Sequence, residues 1–354
     1  MSARCPVCRT KVYVESLDCP TCSAPIAFHP PTREFVALPG DPVPEGGARV
    51  EVDETACRAC VNRDRQCNWL APDGADAGAC LSCRLTRRRP DDGDTLALER
   101  LAEASQDKRR LLVQLLDLGL PITPYDERPG GLAFDLLSSF SGEPVVIGHA
   151  DGVITIDLAE SLDSHREALR IALGEPYRTM LGHFRHEIGH YYQDILVDRA
   201  DAWEQCRALF GDERVSYEDA LERHYATGAP SDWVESFISE YATMHPWEDF
   251  AETFAHYLHM TGTLATAADD GTVLERSGPG GDHVIRPLTR YDGTAFDRLL
   301  DDWHWLSFQA NRVNRAMGAR DLYPFGIVPL VRRKLAFIHE LVTTATGHPA
   351  GPAA

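Results

Sequence analysis

Nine of the ten cysteines lie between Cys5 and Cys83, and only Cys206 lies outside that region. The chain begins MSARCPVCRT and lacks the apolar run of a secretory signal, so we expect a reducing compartment in which structural disulfides are rare. Clustered cysteines in such a chain are typical of metal sites. The sequence therefore predicts an N-terminal region that folds around metal ions.

The first cysteine group consists of two CxxC pairs, Cys5 with Cys8 and Cys19 with Cys22. Two such pairs can place four thiolates around one zinc ion at bond lengths of about 2.3 Å. The alternative, a pair of redox-active dithiols, requires a thioredoxin-like βαβ pattern, which this stretch does not have. The spacing therefore predicts a zinc ribbon with these four cysteines as ligands.

The second group holds one cysteine more than a tetrahedral site can use. Spacing alone favours Cys57 and Cys60 together with Cys80 and Cys83, which leaves Cys67 over. A second arrangement takes Cys67 as a ligand and leaves Cys57 over. The spacing predicts a second structural zinc but leaves this choice of ligands open.

Length and composition indicate two domains, because 354 residues correspond to about two domains of ~150 residues each. The stretch from Leu38 to Glu54 (LPGDPVPEGGARVEVDE) is rich in Pro and Gly and is predicted to be a linker between the two cysteine groups. We therefore predict a zinc-ribbon region with two four-cysteine sites over residues 1–90 and a second domain over residues 91–354.

The charge is distributed unevenly along the chain. Residues 1–90 hold 12 basic and 11 acidic residues, whereas the rest hold 23 basic and 43 acidic ones. Such an acidic body repels phosphate backbones, so we do not expect nucleic acid as a ligand. One basic run is predicted to be a solvated face, or else a contact for an acidic partner or RNA. It consists of Arg84, Arg87, Arg88 and Arg89.

No apolar run approaches the ~20 residues that a membrane-spanning helix needs, so we expect no membrane association and a cytoplasmic location. Periodicity predicts that residues 91–354 are mainly helical with a small sheet, which is an α+β fold. The helices are predicted at residues 95–118, 159–173, 177–197, 200–210, 216–226, 231–243, 247–260, 294–317 and 328–345. The segment PVVIGHADGVITIDL predicts a hairpin that an extended peptide could join, and residues 264–286 are predicted to be a loop.

A HExxH motif lies in one of the predicted helices. It places His186 and His190 one turn apart on one face, where both imidazoles can bind the same metal ion. Glu187 then points towards a water molecule on that ion. The alternative is two ordinary histidines that happen to fit the motif.

A catalytic zinc needs a third protein ligand, and the helix that contains Glu248 and Glu252 could supply it. A first glutamate as ligand, with a second carboxylate that holds the N–H of a ligand histidine, is a common arrangement. Phe250 and Phe254 would bury the other side of this helix. The alternative is an ordinary acidic helix face.

Three segments carry a resemblance to a known family: HFRHEIGHYYQDILV, PWEDFAETFAHYLH and CVNRDRQCNWL with CLSCRLTRR. Together they resemble the bacterial zinc-binding metallopeptidase family that has an N-terminal zinc ribbon. The resemblance covers residues 1–265 most clearly. It implies that Cys60, Cys67, Cys80 and Cys83 bind the second structural zinc and that Cys57 is spare, contrary to the preference from spacing.

The HExxH region is also similar to the gluzincin peptidases, in particular to the lethal-factor type. This likeness implies that Glu248 is the third zinc ligand and that Glu252 supports a ligand histidine. It further implies that Tyr241, seven residues before Glu248, stabilises the oxyanion. His245 and His256 are weaker candidates for that role.

These features together predict a zinc-ribbon region followed by a mainly helical, zincin-like metallopeptidase domain. The enzyme would hydrolyse a peptide or protein substrate through a zinc-bound water, with Glu187 as the general base. Its cofactors would be one catalytic and two structural zinc ions, and the ribbons could recruit a protein partner. The alternative function is a zinc-ribbon adaptor whose zincin-like body binds partners without catalysis.

Overall fold

The computed structural model describes residues 3–40, 48–140, 144–161, 179–278, 281–292 and 294–347. The fold belongs to the α+β class: an N-terminal region of cysteine clusters precedes a largely helical domain with small sheets. The chain divides into two compact units, residues 1–117 with 121–162 and residues 118–120 with 163–354. The domain boundary expected at residue 90 stays a prediction.

The first unit begins with two small antiparallel sheets. Strands β1 (Ile26–His29) and β2 (Glu34–Ala37) form one sheet, and strands β3 (Arg49–Val52), β4 (Thr55–Ala59) and β5 (Leu70–Pro72) form the other. A small apolar cluster joins residues of both sheets. Its buried members are Ala27, Leu38, Ala48, Cys57, Ala59 and Leu70.

The linker predicted from Leu38 to Glu54 is therefore only partly correct. Its second half forms strand β3, and Leu38 and Ala48 are buried in the apolar cluster. Val50 and Val52 alternate along this strand and pack against that cluster. Their packing favours a strand here although Pro and Gly residues precede it. Residues 41–47, in the middle of the predicted linker, lie outside the described residues.

The remainder of the first unit is a four-stranded sheet with two helices. Helix α1 (Leu81–Arg84), strand β6 (Thr86–Arg88) and helix α2 (Thr95–Asp117) precede strands β7 (Ala133–Leu137), β8 (Gly148–Ala150) and β9 (Val153–Asp157). The strand order is β6-β7-β9-β8, and only the β8–β9 pair is antiparallel. The structure thus contains the predicted helix after residue 95 and the predicted hairpin, with β8 at the edge of the sheet.

The second unit is mostly helical. Its helices are α3 (Met180–Arg199), α4 (Trp203–Phe210), α5 (Tyr217–Thr227), α6 (Pro246–Asp269), α7 (Phe296–Ala316) and α8 (Pro329–Gly347). Helix α3 begins at Met180 rather than at residue 177, because the hydroxyl of Thr179 accepts the N–H of Gly182 at 3.0 Å and caps it. The helix predicted at 159–173 falls largely on residues 162–178, which lie outside the described residues.

The helix predicted at residues 231–243 is wrong. This segment contains two short 3₁₀ turns, Trp233–Glu235 and Tyr241–Thr243. The hydroxyl of Ser239 accepts the N–H of Ala242 at 3.2 Å. Serine side chains that bond to nearby backbone groups compete with helix formation, so the segment folds into turns.

The loop predicted at residues 264–286 is also wrong. Helix α6 continues to Asp269, because Leu264 and the alanines that follow it are strong helix formers. Strands β10 (Leu274–Gly278) and β11 (Gly281–Ile285) then pair as an antiparallel hairpin. None of the helices in the described part of the chain is long and apolar enough to cross a membrane.

Helices α3 and α6 pack closely at one glycine. A Cβ atom on Gly189 would lie 2.8 Å from the Cα and 3.0 Å from the carbonyl oxygen of Ala251, closer than packed atoms come. Beyond this contact an aromatic layer fills the space between the helices: Phe254 lies 5.7 Å from Tyr192 and 6.3 Å from Phe250 between ring centroids. Both phenylalanines are fully buried, as the sequence predicted.

Candidate active site and metal centres

Three side chains from helices α3 and α6 converge in the second unit. Nε2 of His186 and Nε2 of His190 lie 2.9 and 3.4 Å from Oε2 of Glu248. Ligands of a tetrahedral zinc ion at 2.0–2.1 Å are separated from one another by about 3.3 Å. All three side chains are buried and together form a group that could hold a metal ion. The spacing and the donor types fit zinc.

Glu252 contacts the ring nitrogen of His186 that faces away from Glu248. Its Oε1 lies 2.7 Å from Nδ1 of His186, and its Oε2 accepts the hydroxyl of Ser239 at 2.6 Å. Burial alone would raise the pKa of Glu252, but the hydrogen bond and charge of His186 outweigh burial and lower that pKa to about 2. A carboxylate on Nδ1 fixes the tautomer that leaves Nε2 as the metal ligand.

Glu187 lies next to this group without belonging to it. Its side chain is buried, and no hydrogen-bond partner of Oε2 exists among the described residues. A buried carboxylate oxygen without a partner is costly, and in native proteins it usually faces an ion or an ordered water. The surroundings of Glu187 therefore leave Oε2 available to a water molecule or an ion.

Tyr241 also borders the group, as the sequence predicted. It begins a 3₁₀ turn, and its ring centroid lies 5.8 Å from that of His186. Burial raises the pKa of its hydroxyl, and the negative charges of Glu248 and Glu187 raise this pKa further. Tyr241 therefore stays protonated at neutral pH and can donate a hydrogen bond.

Tyr217 is a part of the site that the sequence did not predict. Its hydroxyl donates to Oε1 of Glu248 at 2.9 Å, on the oxygen that does not face the imidazoles. It precedes Glu248 by 31 residues, in a helix with no recognisable motif. No local pattern could have found it, because only the packing of helix α5 brings the two side chains together.

The two histidines considered as weaker oxyanion donors have other contacts. Nδ1 of His245 accepts the N–H of Trp247 at 3.0 Å and caps helix α6, while its Nε2 donates to the carbonyl of Val215 at 3.1 Å. Both ring nitrogens are thus engaged, and the expectation for His245 is wrong. His256 pairs through Nδ1 with the hydroxyl of Tyr323 at 2.9 Å.

Asp249, the neighbour of the glutamate in the site, points to a different partner. Its Oδ2 accepts a hydrogen bond from Nζ of Lys334 at 2.6 Å, and both side chains are fully buried. Lys334 also donates to the carbonyl of Ser236 at 2.8 Å. The pair therefore anchors the segment that leads to Ser239, whose hydroxyl binds Glu252.

The first cysteine group converges as the sequence predicted. Sγ of Cys5 lies 3.7 Å from Sγ of Cys22, and Sγ of Cys8 lies 3.5 Å from Sγ of Cys19. Sulfur ligands of a tetrahedral zinc at 2.3 Å lie about 3.8 Å apart. The four sulfurs form one group that could hold a metal ion, with Cys22 exposed.

The second group takes the arrangement implied by the family resemblance, not the one favoured by spacing. Sγ of Cys67 lies 3.5 Å from that of Cys80, and Sγ of Cys83 lies 3.6 Å from that of Cys60 and 3.7 Å from that of Cys67. Cys57 points instead into the apolar cluster. The preference from spacing failed because Cys57 lies in strand β4, where its side chain is needed for packing.

A buried cation lies beside the second cysteine group. Nζ of Lys108, on helix α2, donates to the carbonyl of Ser82 at 2.7 Å and to the hydroxyl of Thr86. Burial lowers the pKa of Lys108 to about 8, against the opposing effect of the charges of Cys83 and Cys80. Four thiolates around one Zn²⁺ carry a net charge of −2, which this ammonium group partly compensates.

All four arginines of the basic run are paired with acidic residues within the first unit, Arg88 the most loosely with its Nη1 at 3.9 Å from Oδ2 of Asp135. Arg87 makes two bonds to Asp135, at 2.9 and 2.6 Å. Arg84 binds Asp126 and Glu127, and Arg89 binds Asp92 at 2.7 Å. The run is therefore partly structural rather than a solvated face throughout.

A family model described as "putative zinc-binding metallo-peptidase" matches residues 97–341, and a zinc-ribbon model matches residues 2–94. The chain belongs to this metallopeptidase family. The family membership predicted from the sequence motifs is thus confirmed. Zinc is the metal that both models imply. Zinc fits the three groups of side chains described above, in donor type and in spacing.

The chain is similar to uncharacterized proteins of Mycobacterium tuberculosis (Rv2568c) and Mycobacterium bovis (Mb2598c). Each is 43% identical over 341 residues, which cover 96% of this chain and 94% of the relative. No solved structure matches this chain.

Proposed function

We propose that this protein is a zinc-dependent metallopeptidase that hydrolyses peptide bonds with Glu187 as general base. The observation that carries the proposal is the convergence of His186, His190 and Glu248 beside a buried carboxylate oxygen without a partner among the described residues. Three ligands with a base next to them are the arrangement of catalytic rather than structural zinc sites.

Zinc, when bound, supplies a Lewis acid that lowers the pKa of water towards ~7 and polarises the scissile carbonyl. Glu187 accepts a proton from the attacking water at Oε2 and later delivers it to the leaving amine. Tyr241 donates its hydroxyl hydrogen bond to the oxyanion that develops on the carbonyl oxygen. Glu252, to which the hydroxyl of Ser239 donates, holds His186 in place while these protons move.

We further propose that each chain binds three zinc ions. The two four-cysteine groups are closed sites with four protein ligands, so they would be structural. The group of His186, His190 and Glu248 has three protein ligands and an open position, so it would be catalytic. Mild chelation should therefore remove this one ion first.

The substrate would be a peptide or protein, and the ribbons would recruit a protein partner. We do not propose nucleic acid as a ligand, because acidic residues far outnumber basic ones after residue 90 and all four arginines of the basic run are paired with acidic residues. A cytoplasmic location is part of the same proposal.

A peptide-library digest read by mass spectrometry tests the function. Wild type should cut a subset of peptides, lose this activity on mild chelation and regain it with Zn²⁺. Glu187→Gln should cut none of them above background. If wild type with full zinc content leaves every peptide intact, a zinc-ribbon adaptor with a non-catalytic body becomes the better account.

A further inference from the structure

The two carboxylate oxygens of Glu248 have different partners. Oε2 faces the histidine pair and lies 2.9 Å from Nε2 of His186. Oε1 accepts the hydroxyl of Tyr217 at 2.9 Å on the other side. One oxygen is thus directed to the metal group, while the other is already engaged by a phenol.

This difference decides how Glu248 can bind an ion. A carboxylate bound through both oxygens fills two coordination positions, whereas one bound through a single oxygen leaves a position open for water or substrate. We propose that Tyr217 is the positioning residue that holds Glu248 as a one-oxygen ligand. This inference rests on the proposed function, because it assigns Tyr217 to the same site.

The position of the Tyr217 hydroxyl is fixed from two sides. The hydroxyl of Ser216 accepts the N–H of Asp219 at 3.2 Å and caps helix α5 directly before Tyr217. The Tyr217 ring lies 5.3 Å from that of His245, which caps helix α6 three residues before Glu248.

The same histidine ties the two helix starts together. Nε2 of His245 donates to the carbonyl of Val215 at 3.1 Å, directly before the cap of helix α5. The start of α5, which carries Tyr217, and the start of α6, which carries Glu248, are therefore held at a set distance. A hydroxyl in a fixed place can select one oxygen of a carboxylate.

Tyr217 can be tested without disturbing the core. Its residue remains 38% exposed, and its hydroxyl contacts Glu248. Phenylalanine keeps the ring and its contact with His245 and removes only the donor.

The experiment uses the full-length protein with zinc retained in both cysteine sites and the third site emptied by mild chelation. The affinity of the third site for Zn²⁺ is measured by competition with a chelator, and its visible spectrum is recorded with Co²⁺. Tyr217→Phe should weaken Zn²⁺ binding by about tenfold, as the loss of a group that orients a ligand does. Its Co²⁺ bands should weaken, because a second oxygen of Glu248 raises the coordination number.

One variant serves as a control. Tyr225→Phe removes a hydroxyl from the same helix at a residue that is 70% exposed, and should change neither reading. Circular dichroism of both variants checks that they fold alike.

If Tyr217→Phe binds Zn²⁺ as tightly as wild type with an unchanged Co²⁺ spectrum, the inference is wrong and the proposed peptidase function is unaffected. If both readings change but wild type cuts no peptide, the proposed function is wrong and the positioning role of Tyr217 stands. The metal measurements need no substrate, so the two failures are distinguishable.

Discussion

Nε2 of His186 and Oε2 of Glu248 lie 2.9 Å apart although 62 residues separate them in the chain. The contact depends on helices α3 and α6, which pack closely where Gly189 meets Ala251. The glycine of the motif is therefore a packing requirement of the metal site.

Gly189→Ala should reduce both stability and zinc binding at the catalytic site. Helix propensity alone predicts the opposite, because alanine is favoured over glycine inside a helix by about 1 kcal/mol. The added Cβ would collide with the backbone of Ala251 and force the helices apart. Thermal unfolding and zinc content measure the two effects.

Gly347→Ala is the matched control for this variant. It lies at the end of helix α8, where a Cβ would meet nothing within 4 Å. It should leave the melting temperature and the zinc content at their wild-type values. A Gly189→Ala protein as stable as this control would contradict the packing argument.

Glu248→Ala should lower the zinc content of the purified protein from three ions to two. Two histidines alone hold zinc poorly, while the two four-cysteine groups do not involve this residue. Elemental analysis of the variant and of wild type gives the counts. An unchanged count of three would remove Glu248 from the ligand set.

Cys57→Ala should keep both structural zinc ions, whereas Cys67→Ala should lose one. Cys57 packs in the apolar cluster, and Sγ of Cys67 lies 3.5 Å from that of Cys80. Cys57→Ser should bind zinc equally well but be less stable, since a hydroxyl buried without a partner costs about 1–3 kcal/mol. Loss of a zinc ion from Cys57→Ala would restore the arrangement favoured by spacing.

His256 should make the protein less stable as the pH falls from about 6.5 to about 4. Burial lowers its pKa from 6.5 to about 4; the charge of Glu252 opposes this shift, and that of His186 lowers the pKa further. Between these values the unfolded chain binds a proton that the folded chain does not, so stability falls with falling pH. The shift corresponds to about 3 kcal/mol.

His256→Asn tests this dependence, because asparagine can still bond to the hydroxyl of Tyr323 but does not titrate. The stability advantage of wild type over the variant, measured by urea unfolding, should shrink between pH 7 and pH 4. Loss of the catalytic zinc at acid pH affects both proteins alike. An advantage that does not change with pH would contradict the lowered pKa of His256.

The sequence predicted the parts of the site that lie in local patterns. His186 and His190 share one helix face, and the two CxxC pairs of the first cysteine group needed only their spacing. The spacing of Glu248 and Glu252 permitted Glu248 as a ligand, but its assignment rested on a family resemblance, since nothing in the 61 intervening residues indicates the contact. Cys57 was misjudged because spacing carries no information on which thiol a strand buries.

The parts of the site that the sequence did not predict depend on tertiary packing. Tyr217 reaches Glu248 only because His245 joins the starts of two helices. Ser239 lies in a segment predicted to be helical, but its hydroxyl bonds to the backbone and to Glu252 instead. Such contacts link residues far apart or replace a local preference, so periodicity cannot show them.

The turnover of Glu187→Gln tests the central claim most directly. Asp198→Asn is its control, because it removes one carboxylate from an exposed position of the same helix. On a peptide that wild type cuts, Glu187→Gln should keep all three zinc ions and lose about 10²–10⁴-fold in kcat with little change in KM. Asp198→Asn should cut at the wild-type rate, and a Glu187→Gln protein that also did so would contradict the mechanism.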